Sequence, residues 1–472
     1  MDTATLESRT AAQWDADIVP QLTDYIRVPA KSPHFDPQWA AHGHIDRVVR
    51  QAEAWVRAQP VAGLAVEVVR LQGRTPVLFF EVPARGTKHE RTVLLYGHLD
   101  KQPEMTGWRS DLGPWTPKYE NGKLYGRGGA DDGYAVYASL AALGAMQAEG
   151  LPHARCVGLI ETCEESGSYD LPAYLDHLAP RMGEVDFVVG LDSGCGDYER
   201  LWVTTSLRGL AAGTLAVEVL TEGVHSGDAS GVVPSSFRIA RALVDRLEDA
   251  ASGRIHPADF HAPIPDERIE QARAAADILG DIVLRKYPFA GRTAPMAHDR
   301  VEAMLNRTWR PALSVTGADG LPPIASAGNV LRPTTALKLS LRLPPTVPGE
   351  MATAALQRLL EADPPHGANV SFSPDQGATG WNAPATATWL ATALETASRA
   401  FYGKPAGAMG EGGTIPFMGM LGRKFPQAQF LITGVLGPRS NAHGPNEFLH
   451  VPYAKKLTAC VASVLAAHAS QS

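Results

Sequence analysis

The sequence predicts an α/β fold interrupted by a second α/β unit built on an antiparallel sheet. Three observations carry this expectation. Apolar runs of buried-strand length recur at Val93–Leu95, Arg155–Ile160 and Asp186–Gly190, and each leads into a histidine or carboxylates. The stretch TALKLSLR (335–342) alternates instead, as a strand with one buried face does. From about Pro384 the character of the first half returns, so residues 207–382 read as an insertion between a first part, 1–206, and a second part, 383–472.

Taken in order, residues 12–28 read as an amphipathic helix ending before Pro29, and a second helix covers about 41–59. Strands follow at Leu64–Leu71, Pro76–Val82 and Thr92–Tyr96. The last runs into Gly97, His98 and Asp100. Residues two apart on an extended chain share a face, so His98 and Asp100 can point the same way, with the carboxylate fixing the imidazole tautomer. Pro103–Lys123 is loop-like. LYGRGGADDG (124–133) is a Gly-rich turn ahead of a helical run; one aspartate there could be an N-cap, but Asp131 and Asp132 together exceed what capping needs. The strand Arg155–Ile160 opens into ETCEESGS (161–168), and Asp186–Gly190 opens into Leu191–Gly194. In open α/β sheets, sites form outside the carboxyl ends of strands.

The inserted stretch has an alternating strand at Ala211–Leu220, a turn at His225–Gly227 and an amphipathic helix at Pro234–Ala250. Residues 251–328 read as irregular, with helical patches at 265–286 and 299–305; a helix at 348–361 and a short strand at Asn369–Phe372 complete it. Beyond it come a helix (Ala385–Tyr402), a Gly-rich turn (Gly410–Pro416), an apolar strand (Gln429–Gly434), a polar loop holding His443 and a terminal helix (Pro452–Ala467).

At 472 residues the chain is long enough for two or three domains. Its net charge of −7 comes from 43 basic and 50 acidic residues spread along the chain, and no basic block points to nucleic acid or a membrane surface. No membrane-length apolar window and no signal-peptide pattern is present, so a cytoplasmic setting is expected. Cys156, Cys163, Cys195 and Cys460 lack any C-x-x-C or disulfide spacing. They read as free thiols in a reducing compartment and as packing residues rather than zinc thiolates.

The strand-end groups are His98, Asp100, Asp131, Glu164, Glu165, Asp192 and His443. Two imidazoles with this many carboxylates suit zinc or a similar divalent ion, and the number exceeds one tetrahedral site. It fits a two-metal hydrolase with one carboxylate left over as general base. No G-x-S-x-G nucleophile elbow is visible.

The motifs YGHLDKQP (96–103), GRGGADDG (126–133), EESGS (164–168), LDSG (191–194), HSG (225–227), EGGTIP (411–416) and NAHGPNE (441–447) occur in an order that resembles the M20 metallopeptidases, nearest the dipeptidase and carnosinase branch. The resemblance implies a zinc-peptidase-like catalytic domain, a mixed sheet flanked by helices, with the insertion as an α+β lid and homodimerisation domain. It implies two Zn²⁺ per subunit, with Mn²⁺ or Co²⁺ as alternatives. His98 and Asp192 would hold one ion, Glu165 and His443 the other, and Asp131 would bridge both; the Asp131–Asp132 peptide would be cis. Glu164 would be the general acid/base, and Asp100 would orient His98. His225 would act as an oxyanion donor at the partner subunit's site. Arg342 would pair with the substrate carboxylate, with Asn329, Gly413 and Thr414 at substrate-contact positions. The implied reaction is hydrolysis of an amide next to a free C-terminal carboxylate in dipeptides, with N-acyl amino acids as the alternative substrates. The chain departs from the pattern at Gly133–Tyr134, where relatives carry Lys-Gly, at Asn329, often Thr, and in GATGWNAP (377–384), which lacks a histidine.

Overall fold

The computed structural model describes residues 2–375 and 377–471. The chain divides into two compact units, one made of Met1–Thr205, Ala383–Met409 and Met420–Ser472, the other of Ser206–Asn382 with Gly410–Gly419. Both are mixed helix and strand.

The first unit is organised on a six-stranded sheet in the order Ala65–Val69, Val77–Val82, Arg155–Glu161, Thr92–His98, Val185–Gly190, Gln429–Ile432. The first two strands pair antiparallel with their neighbours, and the last four run parallel. Every residue of Thr92–His98 is buried, which is why this stretch reads as an unbroken apolar run rather than an alternation. His98 pairs with Glu161 at the end of the neighbouring parallel strand, so the chain following each parallel strand emerges on one side of the sheet. The helices Ala135–Ala148 and Val451–Ala469 pack together, and both are largely buried.

The N-terminal helical segment runs from Thr3 to Ile26, nine residues earlier than the 12–28 expected. Asp2 caps it, its Oδ1 accepting from Ala4 N at 3.1 Å. Its first turns bury few large apolar residues, so periodicity alone underestimates the segment. Trp14 is fully buried and donates from Nε1 to Thr458 Oγ1 at 2.9 Å, tying the segment to the C-terminal helix.

The second unit carries a four-stranded antiparallel sheet in the order Ala312–Asp319, Thr334–Leu343, Gly209–Glu218, Asn369–Pro374. Leu339 and Leu341 alternate inward and meet Leu215, Val217, Leu243 and Leu356 in one core. The edge strand Ala312–Asp319 corrects the expectation that 251–328 holds only loops and helical patches. It lacks a buried face, and six of its eight residues are exposed, so it shows no hydrophobic period. The helix expected at 234–250 covers only Ser236–Val244.

Candidate metal centre and active site

The seven strand-end groups anticipated in the first unit meet at the carboxyl ends of its parallel strands. His98, last residue of its strand, is wholly buried. Its Nδ1 lies 3.1 Å from Asp100 O and 3.4 Å from Asp100 Oδ1. Its Nε2 faces Asp131 Oδ1 at 3.5 Å, Asp192 Oδ2 at 3.8 Å and Glu164 Oε2 at 4.0 Å. On the far side of Asp131, Oδ2 lies 2.9 Å from His443 Nε2, which is 3.5 Å from Glu165 Oε2. Asp131 therefore stands between the two imidazoles. The Asp131–Asp132 peptide is cis.

Asp100 does more than orient His98. Its two oxygens accept the backbone N–H groups of Glu164 and Glu165 at 3.1 and 3.0 Å, so one carboxylate fixes both the imidazole and the Glu164–Ser166 turn.

Several supporting residues escape sequence reasoning. Asp132 is fully buried; its Oδ2 accepts from His98 N at 3.3 Å, and it joins His98 and Asp192 in a cluster with one ligand atom from each within 4.8 Å. A second such cluster is His98, Asp131 and Glu165. Gln102 donates to Glu165 Oε2 at 2.5 Å. The Tyr134 hydroxyl donates to Leu191 O, next to Asp192. Buried Arg127 forms an ion pair with Glu447 and donates to His443 O and Gly444 O at 2.9 and 3.0 Å, while Glu447 Oε1 accepts from Gly128 N at 2.9 Å. This pair ties the His443 loop, where His443 has a φ of +63°, to the Gly-rich turn carrying Asp131. The doubled Asp131–Asp132 and the Glu within NAHGPNE were the available signals for Asp132 and Glu447. Gly133, where relatives carry lysine, is explained by packing: a Cβ there would stand 2.3 Å from the Tyr25 ring and 2.8 Å from Gly128 O.

Electrostatics and unmet hydrogen bonds both mark this cluster as a cation site. Burial lifts Glu165 to about 8 and Asp192 to about 7, and lifts Glu164 well above the carboxylate range, the charge of Asp192 adding to it. Burial works against Asp131 too, but the His443 and His98 imidazoles beside it outweigh that and hold its carboxyl below the usual range. His98 Nε2, Asp132 Oδ1 and Glu165 Oε1 are buried with no hydrogen-bond partner. An unmet buried polar atom costs about 1–3 kcal/mol, and divalent cations would relieve both that and the crowding of carboxylates. Imidazole and carboxylate donors suit Zn²⁺, Mn²⁺ or Co²⁺. Among the described residues no cysteine joins these clusters, and all four cysteines are buried and outside any disulfide.

The remaining anticipated residues lie in the second unit. His225 and Asn329 are neighbours: His225 pairs with Val330, and Asn329 O accepts from Ser226 N at 2.9 Å. Exposed His225 accepts from Gly227 N on Nδ1 at 3.1 Å. Arg342 donates to Thr414 Oγ1 at 2.8 Å, and Gly413, the residue before, faces open space.

Residues 94–467 match the model of peptidase family M20/M25/M40. The chain belongs to that family. Membership makes it a hydrolase acting on peptides, in keeping with the motifs. A cysteinylglycine-S-conjugate dipeptidase of Corynebacterium striatum is 28% identical over 444 residues, spanning 90% of this chain and 91% of that protein. Among solved structures, human carnosine dipeptidase 1 superimposes with a TM-score of 0.78 at 22% identity, covering 100% of this chain and 99% of the other. The dipeptidase Dug1p of Saccharomyces cerevisiae gives 0.77 at 20% identity, with coverage of 100% and 99%. At these identities the structural likeness speaks to the fold, and the family peptidases share this mixed α/β architecture. No helix of the described residues is long and apolar enough to cross a membrane.

Proposed function

We propose that this M20 peptidase is a di-metal dipeptidase that cleaves an amide next to a free C-terminal carboxylate. The observation that carries the reading is the ring of His98, Asp131, Glu165, Asp192 and His443, buried except at the exposed His443, with Glu164 beside it and surplus to the ligand set. Two Zn²⁺, or Mn²⁺ or Co²⁺ in their place, would fit these donors: His98 and Asp192 would hold one and Glu165 and His443 the other, with Asp131 available to both. Bound there, the ions supply Lewis acidity, polarising the scissile carbonyl and acidifying water.

The chain's own residues do the rest. Glu164 takes a proton from the attacking water and passes it to the leaving amine. Its buried setting favours the protonated form, which suits a carboxyl that must hold a proton in mid-reaction. Asp100 holds His98 and the Glu164 turn in register. With Gly227 N–H on its Nδ1, the neutral His225 imidazole carries its proton on Nε2 and is set to donate to a developing oxyanion, at the partner subunit's site. Arg342 receives the substrate carboxylate in a planar fork, steadied by Thr414, with Gly413 and Asn329 as further substrate contacts. Dipeptidase activity in the Corynebacterium relative, matched over nearly its full length, favours dipeptides over N-acyl amino acids. Buried cysteines outside any disulfide fit a cytoplasmic setting. The exposed edge strand Ala312–Asp319 in the inserted unit fits homodimerisation there, since an open edge is a template for a second copy.

Glu164→Gln tests the assignment. Turnover of a dipeptide should fall by about 10²–10⁴-fold, with metal content unchanged by elemental analysis. Near-normal turnover removes Glu164 from the role.

A further inference from the structure

Within the second unit, three guanidinium groups gather around the Gly-rich turn Glu411–Thr414, and among the described residues none of them forms an ion pair within 4 Å, with Glu411 of the turn or any other carboxylate. Arg208 is buried, and Arg307 and Arg342 are partly buried. Among the described residues, their polar contacts are with neutral atoms. Arg208 donates to Gly412 O, Asn306 O and Arg310 O at 3.1, 3.3 and 3.4 Å. Arg307 reaches the Met304 sulfur at 3.8 Å, and Arg342 reaches Thr414 Oγ1 at 2.8 Å. Gly412 is wedged between the first two: a Cβ there would stand 3.2 Å from Arg307 Cγ and 3.3 Å from Arg208 Nη2. Thr414 lies two residues on, at most about 7 Å of extended chain away. The three cations therefore share one short turn, and Gly413 on that turn faces open space.

The partners separate their roles. Arg208 is committed to three carbonyls, two of them at and just beyond the C-terminal turn of the helix Arg300–Thr308, so it pins the turn in place. Burial, with Arg342 and then Arg307 adding to it, holds the Arg208 guanidinium down to about 10. Arg307 has no comparable commitment. Cations packed together at least half-buried and without an ion-pair partner oppose folding, and a bound anion would offset that cost.

We propose that Arg307 is a second anion anchor beside Arg342, so that the preferred substrates are dipeptides with an acidic C-terminal residue, which present two carboxylates. Arg342 takes the main-chain carboxylate and Arg307 the side-chain carboxylate. The inference rests on the dipeptidase reading for Arg342 and adds the substrate class.

The test compares alanyl-glutamate with its isostere alanyl-glutamine on the metal-loaded full chain, wild type and Arg307→Gln. Calorimetric titration of glutarate and its monoamide runs alongside. Wild type should favour the acidic peptide by about tenfold in kcat/KM, expressed in KM, and the preference should weaken as salt rises. Arg307→Gln should bring the ratio near one and remove the advantage of glutarate over its monoamide, and Arg307→Lys should retain part of both. Equal rates on the two peptides in wild type, or an unchanged ratio in Arg307→Gln, overturns the proposal. Equal glutarate binding by wild type and Arg307→Gln overturns it as well. If neither peptide is cleaved, the dipeptidase reading fails separately, and the glutarate comparison still decides whether Arg307 anchors an anion.

Discussion

Glu161 and Glu164 are three residues apart and both buried, yet their surroundings assign them different work. Glu161 accepts the Tyr96 hydroxyl at 2.5 Å and Ser168 Oγ at 2.9 Å on one oxygen, while its other oxygen is buried without a partner. Burial pushes its carboxyl up to about 8 despite those donors. An unfolded chain releases that proton near pH 4, so between about pH 4 and 8 the unfolded state binds fewer protons and stability falls as pH rises. The chelator-stripped protein should show a Tm that declines across this window, and Glu161→Gln should flatten the decline. Parallel Tm profiles for the two proteins would contradict the assignment. Residues at this scale were legible unevenly. His98, Asp131 and Asp192 are announced by strand ends and turns. Asp132 is not, because its ambiguity with an N-cap is resolved only by the fold that buries it beside His98.

At the scale of elements, the centre depends on two loops being held together. Arg127, from the Gly-rich turn, and Glu447, from the loop after His443, form a buried ion pair whose side chains also carry four hydrogen bonds to backbone groups, three from Arg127 and one to Glu447. Arg127→Met leaves Glu447 buried and unpaired, which should cost about 3–5 kcal/mol of stability in denaturant unfolding. It should also weaken metal binding by releasing the His443 carbonyl; unchanged stability and metal affinity would show that the pair is incidental. Buried parallel strands such as Thr92–His98 were visible as apolar runs, and Thr334–Leu343 as an alternation. The edge strand Ala312–Asp319 was invisible because solvent on both faces removes the period that sequence reading relies on. The Arg127–Glu447 pair spans 320 residues, a separation that no local pattern reports.

At the scale of the whole molecule, the groups of the candidate metal centre come from segments between His98 and His443, so the cluster exists only once the second part of the chain has returned to the first sheet. The motif order made this return legible before any coordinates, because LDSG and NAHGPNE flank the insertion. The homodimer proposed above would form at the exposed edge strand Ala312–Asp319 of the inserted unit. Light scattering should therefore give twice the 50.4 kDa chain mass. Val315→Lys, on that edge, should shift the mass toward the single chain, while a wild-type monomer would contradict the dimer reading.

The central claim is a divalent-metal peptidase acting on dipeptides. Its most direct measurement is release of free amino acids from a dipeptide panel by metal-reconstituted protein, with chelator-stripped protein and N-acetyl and N-succinyl amino acids in parallel. The account predicts cleavage of dipeptides only when metal is restored, with the acyl compounds untouched. Cleavage of the acyl compounds alone would contradict the substrate assignment, and undiminished dipeptide cleavage by the stripped protein would contradict the metal centre itself.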